Sequence, residues 1–360
     1  AKLLKEKEKF ETDNAEIKIK EPRKFSESIK PYDNRIKQLK SKHPGSPPKG
    51  MVLFDKPSPV EPVVFIRGNQ GNRGAKVPRQ FLEVVSGVNR TPFKQGSGRL
   101  EAAQAIVSDK NTLTSRVWVN RVWAHVFGNP LVKTPSDFGV RSDPPSHPEL
   151  LDFLASNLME DHWSTKNLIR QMLLSSTFKQ TSSPRSELQN NDPENSLLIR
   201  MNRRRLDFET MHDSLLAMAG TLEPAVGGKS VEMFTSPFSN KRALYAFIDR
   251  QNLPGVLRTF DFALPDTHSP QRFITSVPQQ ALYLLNSPFV QEQAAKFTLR
   301  FTNTDDHFEK VQAMYRVALQ RSPTKEEVTS SLEFLEASGP DGFKQLAQVL
   351  LASNAFQFID

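Results

Sequence analysis

The chain has 360 residues, 37% of them hydrophobic and 24% charged, with a formal net charge of +8. That length accommodates two compact units of about 100–200 residues. There is no cysteine, which excludes disulfides, thiolate metal sites, thiol nucleophiles and the Cys-x-x-Cys-His attachment of c-type haem.

Residues 1–50 hold 14 Lys and Arg against 8 Asp and Glu, so +6 of the +8 lies there. Clustered basicity across a fold is what a nucleic-acid partner requires, and none is expected here. The charges of this segment alternate in sign around Lys2, Lys5, Lys7, Lys9, Lys18 and Lys20, which reads as a basic linker or solvated helix ending an upstream domain. No apolar run reaches the ~20 residues that span a bilayer. The opening residues form no leader, and the chain is expected to be a piece of a longer one.

After the Pro/Gly/Lys stretch His43–Gly50, residues 51–98 read as a hairpin and loop segment. The apolar runs Met51–Phe54 and Pro62–Ile66 are predicted to pair as two short strands near residues 51–67. Gly68, Gly71 and Gly74 follow without a succeeding helix, so they are loop and not a dinucleotide fingerprint.

A first helical unit spans 99–185. Leu113, Val117, Asn120, Arg121 and Ala124 recur at helical spacing, with Gly128 placed to end the helix. Ser146-His147-Pro148-Glu149 reads as a capping box ahead of Leu150, Leu151, Leu154 and Leu158. Ser164 caps a helix whose stripe is Leu168, Ile169, Met172 and Leu173. Thr181–Ser196 reads as a linker or long loop.

The second helical unit, 186–360, opens with a helix from about Asn202 to Gly220, and 221–241 is loop. Ala243–Ile248 is a buried strand or a helical turn, between which so short a run does not decide. Helices follow at Pro278–Leu285, Pro288–Phe301, Phe308–Leu319, Lys325–Glu336 and Phe343–Asn354. The chain is therefore mainly α.

The order of features in Arg121–Phe178 recurs in Arg316–Phe356. Both begin with Arg-Val on an amphipathic helix and continue with a capped helix. They end as Leu173-Leu174-Ser175-Ser176-Thr177-Phe178 and Leu350-Leu351-Ala352-Ser353-Asn354-Ala355-Phe356. Two related three-helix units follow, because each apolar stripe must be buried against a neighbour. The first is the longer, its extra residues falling mainly in Gly128–Pro145, and an enlarged loop on a rigid frame is where function tends to lodge.

Arg116-Val117-Trp118-Val119-Asn120-Arg121-Val122-Trp123-Ala124-His125-Val126-Phe127-Gly128, Asp137-Phe138-Gly139 and Pro145–Asp152 carry a resemblance to a known family. So do Phe65–Asn69, Tyr245–Arg250, Arg258–Asp261 and Pro278–Leu282. Over roughly residues 50–360 the chain resembles the C-terminal module of the planctomycete cytochrome-c-associated proteins, a planctomycete-specific domain of unknown function (domain of unknown function 1553). Asn129-Pro130 departs from the glycine-containing turn more common there. The resemblance implies an exported protein, periplasmic or extracellular, with haem c only in an upstream domain and no cofactor in this segment. No reaction is established for the module.

Asp137-Phe138-Gly139 lacks the companion motifs of a kinase, and Gly227-Gly228-Lys229-Ser230 has Glu223 where a phosphate loop needs glycine. His147 and Glu149, two apart at a helix start, are a poor metal pair without Asp137 or His125, and no metal is expected. His212-Asp213 suggests an interhelical polar bond. Arg116, Asn120 and Arg121 share a face near Trp123 and need acceptors, which Asp137, Asp152, Asp249 or Asp261 could supply. His125, Arg250 and Arg272 complete this ligand-binding or structural polar cluster.

Two functions fit. One is a non-catalytic or accessory module of an exported, cytochrome-c-linked protein, docking a cytochrome domain or an extracellular polymer. The other is a polysaccharide-acting hydrolase or lyase whose site lies at the 128–149 loop, with Asp137, His147 and Glu149 as catalytic candidates beside Arg121.

Overall fold

The computed structural model describes residues 2–42, 50–184 and 192–359. Of the predicted linker Thr181–Ser196, residues 185–191 lie outside the described residues, as do 43–49 of the stretch His43–Gly50. The fold is mainly α, with two two-stranded antiparallel sheets among the described residues. The chain divides into two compact units, Ala1–Gln80 with Pro92–Glu101 and Phe81–Thr91 with Ala102–Asp360.

In the first unit, helices α1 (Lys2–Asp13), α2 (Ala15–Lys20) and α3 (Pro22–Lys42) pack on one another. Lys7 joins α1 to α3 through Asp33 at 2.8 Å. Phe10 rests against Tyr32 and Phe25, the latter buried.

The hairpin of this unit differs from the predicted one. Strand β1 (Val63–Phe65) pairs with β2 (Arg73–Lys76), not with Met51–Phe54. Arg67 and Gly68 both have positive φ, 54° and 73°, and the Asn69 side chain accepts from Gly71 N at 2.9 Å. The glycine-rich stretch is thus the tight turn that lets the chain fold straight back. Met51–Phe54 instead lies exposed. Asp55, just after it, accepts from Ser97 N and Oγ at 2.8 and 2.6 Å and from Arg99.

The second unit begins with the one-turn helix α4 (Glu83–Ser86) and takes in the latter part of α5 (Arg99–Ile106). Then α6 (Thr112–Phe127), α7 (Pro148–Glu160) and α8 (Thr165–Leu174) pack mutually. Asn111 caps α6 and Ser164 caps α8 through their side-chain oxygens. The predicted box at Ser146 is absent. His147 holds the N-cap position of α7 without a side-chain cap bond, and its Nδ1 lies 3.0 Å from Ser146 Oγ. The two polar side chains engage each other, and Pro148 removes one amide that would have needed a cap. Val119, Trp123, Phe127, Leu151, Leu154, Leu158, Leu168 and Met172 form a core.

The helix predicted from about Asn202 starts later, as α9 (Phe208–Ala219), because Arg204–Arg205 is strand β3. Asp207 caps α9 through Thr210 N at 2.8 Å, and Gly220 closes it with φ 73°. Ala243–Tyr245 is a turn of 3-10 helix, not a strand, with only Ala243 buried. After α10 (Gly255–Thr259) and α11 (Pro278–Asn286), helix α12 (Pro288–Leu299) packs on α9. Helices α13 (His307–Leu319), α14 (Lys325–Ala337) and α15 (Gly342–Ala352) pack mutually, α14 bearing the predicted Thr324/Glu327 box. The chain finishes in α16 (Asn354–Gln357) and strand β4 (Phe358–Ile359), which pairs with β3. A larger core gathers Phe208, Leu215, Leu216, Leu284, Phe297, Val311, Met314 and Leu351.

The resemblance between the two three-helix sets extends to single bonds. After α8, Ser175 Oγ donates to Met172 O at 2.6 Å and accepts from Phe178 N at 3.1 Å. After α15, Ser353 Oγ donates to Leu350 O at 2.7 Å and accepts from Phe356 N at 3.3 Å. The serine turns the chain and drops an aromatic ring onto the core in both places.

Candidate functional site

A cleft of 840 Å³ opens in the second unit. Its walls come from one face of α6 with the following turn (Arg121, His125, Gly128), from β3 and the start of α9 (Arg204, Arg205, Asp207) and from the segment Phe260–Thr275.

The pairing of β3 with β4 builds the floor. Successive strand residues project to opposite sides. Arg204 turns toward α6 and donates to His125 O. Arg205 turns toward α11, where it donates to Gln280 Oε1, to Thr275 O at 3.0 Å and to Gln357 Oε1 at 2.8 Å. It also lies 5.7 Å from the Phe260 ring centroid. Burial pushes the pKa of both guanidinium groups down, the Asp261 charge opposing this only at Arg205. Neither makes an ion pair among the described residues, and Arg121 has no hydrogen-bond or ion-pair partner there. Arg204 is a partly desolvated cation without a counter-charge and Arg205 has only Asp261 near it, with no bond between the two, which is costly, and a bound anion relieves that cost.

The approach of Arg204 to α6 requires glycine at position 128. Gly128 has φ 90°, and a Cβ there would stand 2.8 Å from Arg204 Cδ.

The carboxylates of the cleft are already engaged. Asp207 caps α9, and Asp261 accepts from Thr275 N at 2.8 Å and from its hydroxyl. Glu209 receives Arg272 in bidentate fashion at 2.7 and 2.6 Å, which together with burial against the Phe262 ring ties Phe260–Thr275 to α9.

Of the predicted cluster, Arg121, His125 and Arg272 line the cleft and the others do not. Arg116 bridges α6 to α7 through Asp152 at 2.6 Å and holds that carboxyl below its ordinary range. Asn120, wholly buried, accepts from Val132 N at 2.9 Å and donates to Val132 O at 3.1 Å. Trp123 stacks on Phe127 at 4.0 Å. Asp249 accepts from Gln251 N within its own turn, and Arg250 lies 3.8 Å from Asp266. Of the four acidic residues expected to receive the arginines of α6, Asp152 alone does so among the described residues.

The catalytic candidates are not cleft residues. Asp137 closes its own turn by accepting from Gly139 N at 2.8 Å. His147 engages Ser146, and Glu149 lies exposed in the first turn of α7. Of the pair His212-Asp213, His212 is buried and stacked on Phe289 at 4.4 Å, its Nδ1 3.7 Å from Asp213 and outside hydrogen-bond distance, whereas Asp213 makes the expected polar bond out of its helix, accepting from Ala243 N at 2.6 Å and Arg242 Nε at 3.2 Å.

Residues 98–335 match the family described as PSD1, protein of unknown function (DUF1553). The chain belongs to that family. No curated protein and no solved structure matches it. The span shared with PSD1 takes in every residue of the cleft except Ile359.

Sequence reasoning does not single out Arg204, Arg205, Glu209 or Gln280 in this PSD1 chain. The run Arg203-Arg204-Arg205 is the one local feature that could have drawn attention. The side-chain hydrogen-bond partners of Arg204 and Arg205 lie 70 to 152 residues away along the chain.

Proposed function

We propose that this PSD1 chain is an accessory module whose cleft binds an anionic extracellular polymer, a carboxylated polysaccharide being the chemistry it suits best. One observation carries the reading: Arg121, Arg204 and Arg205 line a single cleft and none is paired with a carboxylate among the described residues. Planar guanidinium groups match carboxylates geometrically and stay charged at all working pH values. The exposed apolar side chains Phe273 and Ile274 on the same walls would face sugar rings. A nucleic-acid ligand is disfavoured because the 310 residues beyond the first 50 carry a net charge of only +2.

Glycosidic acid–base chemistry is the weaker reading. It needs two carboxyl groups free to face one bond, whereas Asp207, Asp261 and Glu209 are committed to structural bonds. Export to the periplasm or beyond, a planctomycete source, a cytochrome-c-linked protein and haem c confined to an upstream domain belong to the same proposal, and rest on the motif resemblance alone.

Titration calorimetry with polygalacturonate and with neutral dextran tests the binding. Polygalacturonate should bind, weakening steeply as salt rises because exchange of condensed counterions dominates such contacts. The double variant Arg121→Gln, Arg204→Gln should bind at least about 10-fold less tightly, as expected for lost charge-assisted bonds. Equal affinity for both polymers, or no effect of the double variant, would refute the reading.

A further inference from the structure

At the mouth of the same cleft a hydroxyl and an imidazole meet in a way that polymer binding does not explain. Ser136 Oγ lies 2.6 Å from His268 Nε2, although the residues are 132 apart in sequence. Both are solvent-exposed, and the neighbours Pro135, Ser269 and Pro270 form cleft wall with His268.

Neither partner sits on a loose end. The Ser136 loop is closed by Thr134 Oγ1 donating to Asp137 O at 2.7 Å and by Asp137 N donating to Thr134 O at 2.9 Å. The segment carrying His268 is held on one side by Asp261 and Thr275 and on the other by Arg272 and Glu209. Two independently tethered loops therefore bring a nucleophile and a base to hydrogen-bond distance beside an open, positively charged cleft.

We infer that Ser136 and His268 form an acyl-transfer dyad that hydrolyses carboxylic esters presented at the cleft. Ser136 Oγ adds to the ester carbonyl while His268 Nε2 takes the hydroxyl proton. The tetrahedral adduct expels the alcohol, which receives that proton from His268, leaving an acyl-serine. Water then attacks the acyl carbon with His268 again as base, and collapse returns the proton to Ser136 and releases a carboxylic acid, which ionises. No carboxylate hydrogen-bonds to His268 among the described residues. The pair therefore lacks the orienting acid of a full triad, and turnover should be slow.

The inference goes beyond polymer binding and is tested without a polymer. The full chain is incubated with a fluorophosphonate probe, the labelled peptide is identified by mass spectrometry, and hydrolysis of p-nitrophenyl acetate is followed in parallel. The label should fall on Ser136, vanish in Ser136→Ala, drop at least about 10-fold in His268→Ala, where the general base is gone, and persist in Ser142→Ala. Ester hydrolysis should follow the same order. Both variants alter exposed side chains, and an unchanged melting temperature confirms that they fold. Absence of labelling with turnover no faster than buffer, label on another serine, or label indifferent to His268→Ala overturns the dyad. Polygalacturonate affinity measured on the same samples separates the two ideas, since binding without labelling defeats the dyad alone.

Discussion

Asn120→Ala is the sharpest test of how the cleft is built. The Asn120 side chain is fully buried, and its two polar atoms satisfy both backbone groups of Val132, itself 3% exposed. This clamp fixes the start of the Gly128–His147 connection against α6. Replacement by alanine removes two hydrogen bonds and strands an amide and a carbonyl where water does not reach. Each stranded group costs about 1–3 kcal/mol, so the loss is about 2–6 kcal/mol, a large part of the ~5–15 kcal/mol that holds a domain together. Urea unfolding monitored by tryptophan fluorescence measures it, Trp123 lying one turn along the same helix. Asn120→Asp should be no better than alanine, since an ionised carboxylate would be buried unpaired and face Val132 O without a proton to give. A loss below about 1 kcal/mol for Asn120→Ala would show that the clamp is dispensable and that the loop is held some other way.

Other expectations follow from single contacts. Gly128→Ala combines a left-handed backbone with a close approach to Arg204, so it should cost about 1–3 kcal/mol and weaken polygalacturonate binding in the same variant. Phe297→Ala, at a wholly buried position, should cost about 3–5 kcal/mol in urea unfolding while leaving the arginines of the cleft in place. The Arg321 guanidinium, at 2.6 and 2.7 Å, holds the Glu327 carboxyl below its ordinary value of 4.5. The stability this contributes is complete above about pH 4.5 and is lost as pH falls through the lower folded value. Glu327→Gln should therefore cost about 0.5–1 kcal/mol at pH 7, as expected of a partly exposed pair, and lessen the acid dependence of the melting temperature below that pH.

Local chemistry along the chain determined the helices. Proline at the first turn of α7, α11 and α12, the Thr324/Glu327 box and the glycines at 128 and 220 act within a few residues of themselves, so their effect is visible without a fold. The recurrence of Leu-Leu before a serine-turned aromatic is legible for the same reason, each copy closing its bonds within four residues. Where a prediction failed, a distant partner outweighed a local preference. Met51–Phe54 has strand-forming residues, yet the turn at Arg67–Asn72 supplied a nearer mate to Val63–Phe65. Arg204 and Arg205 look like the first turn of a helix until Phe358–Ile359, at the far end of the chain, pairs with them as a strand. The cleft depended on tertiary structure most of all. Its cations are identified by the carboxylates they do not meet, and its hydroxyl and imidazole by a contact spanning 132 residues. Asp137 and His147 satisfy their bonds within their own turns and Glu149 lies exposed, whereas Ser136 and His268 come together only when the chain folds. Helix formation is short-ranged, set by caps and periodicity, but a binding site depends on which groups remain unsatisfied after everything else has packed.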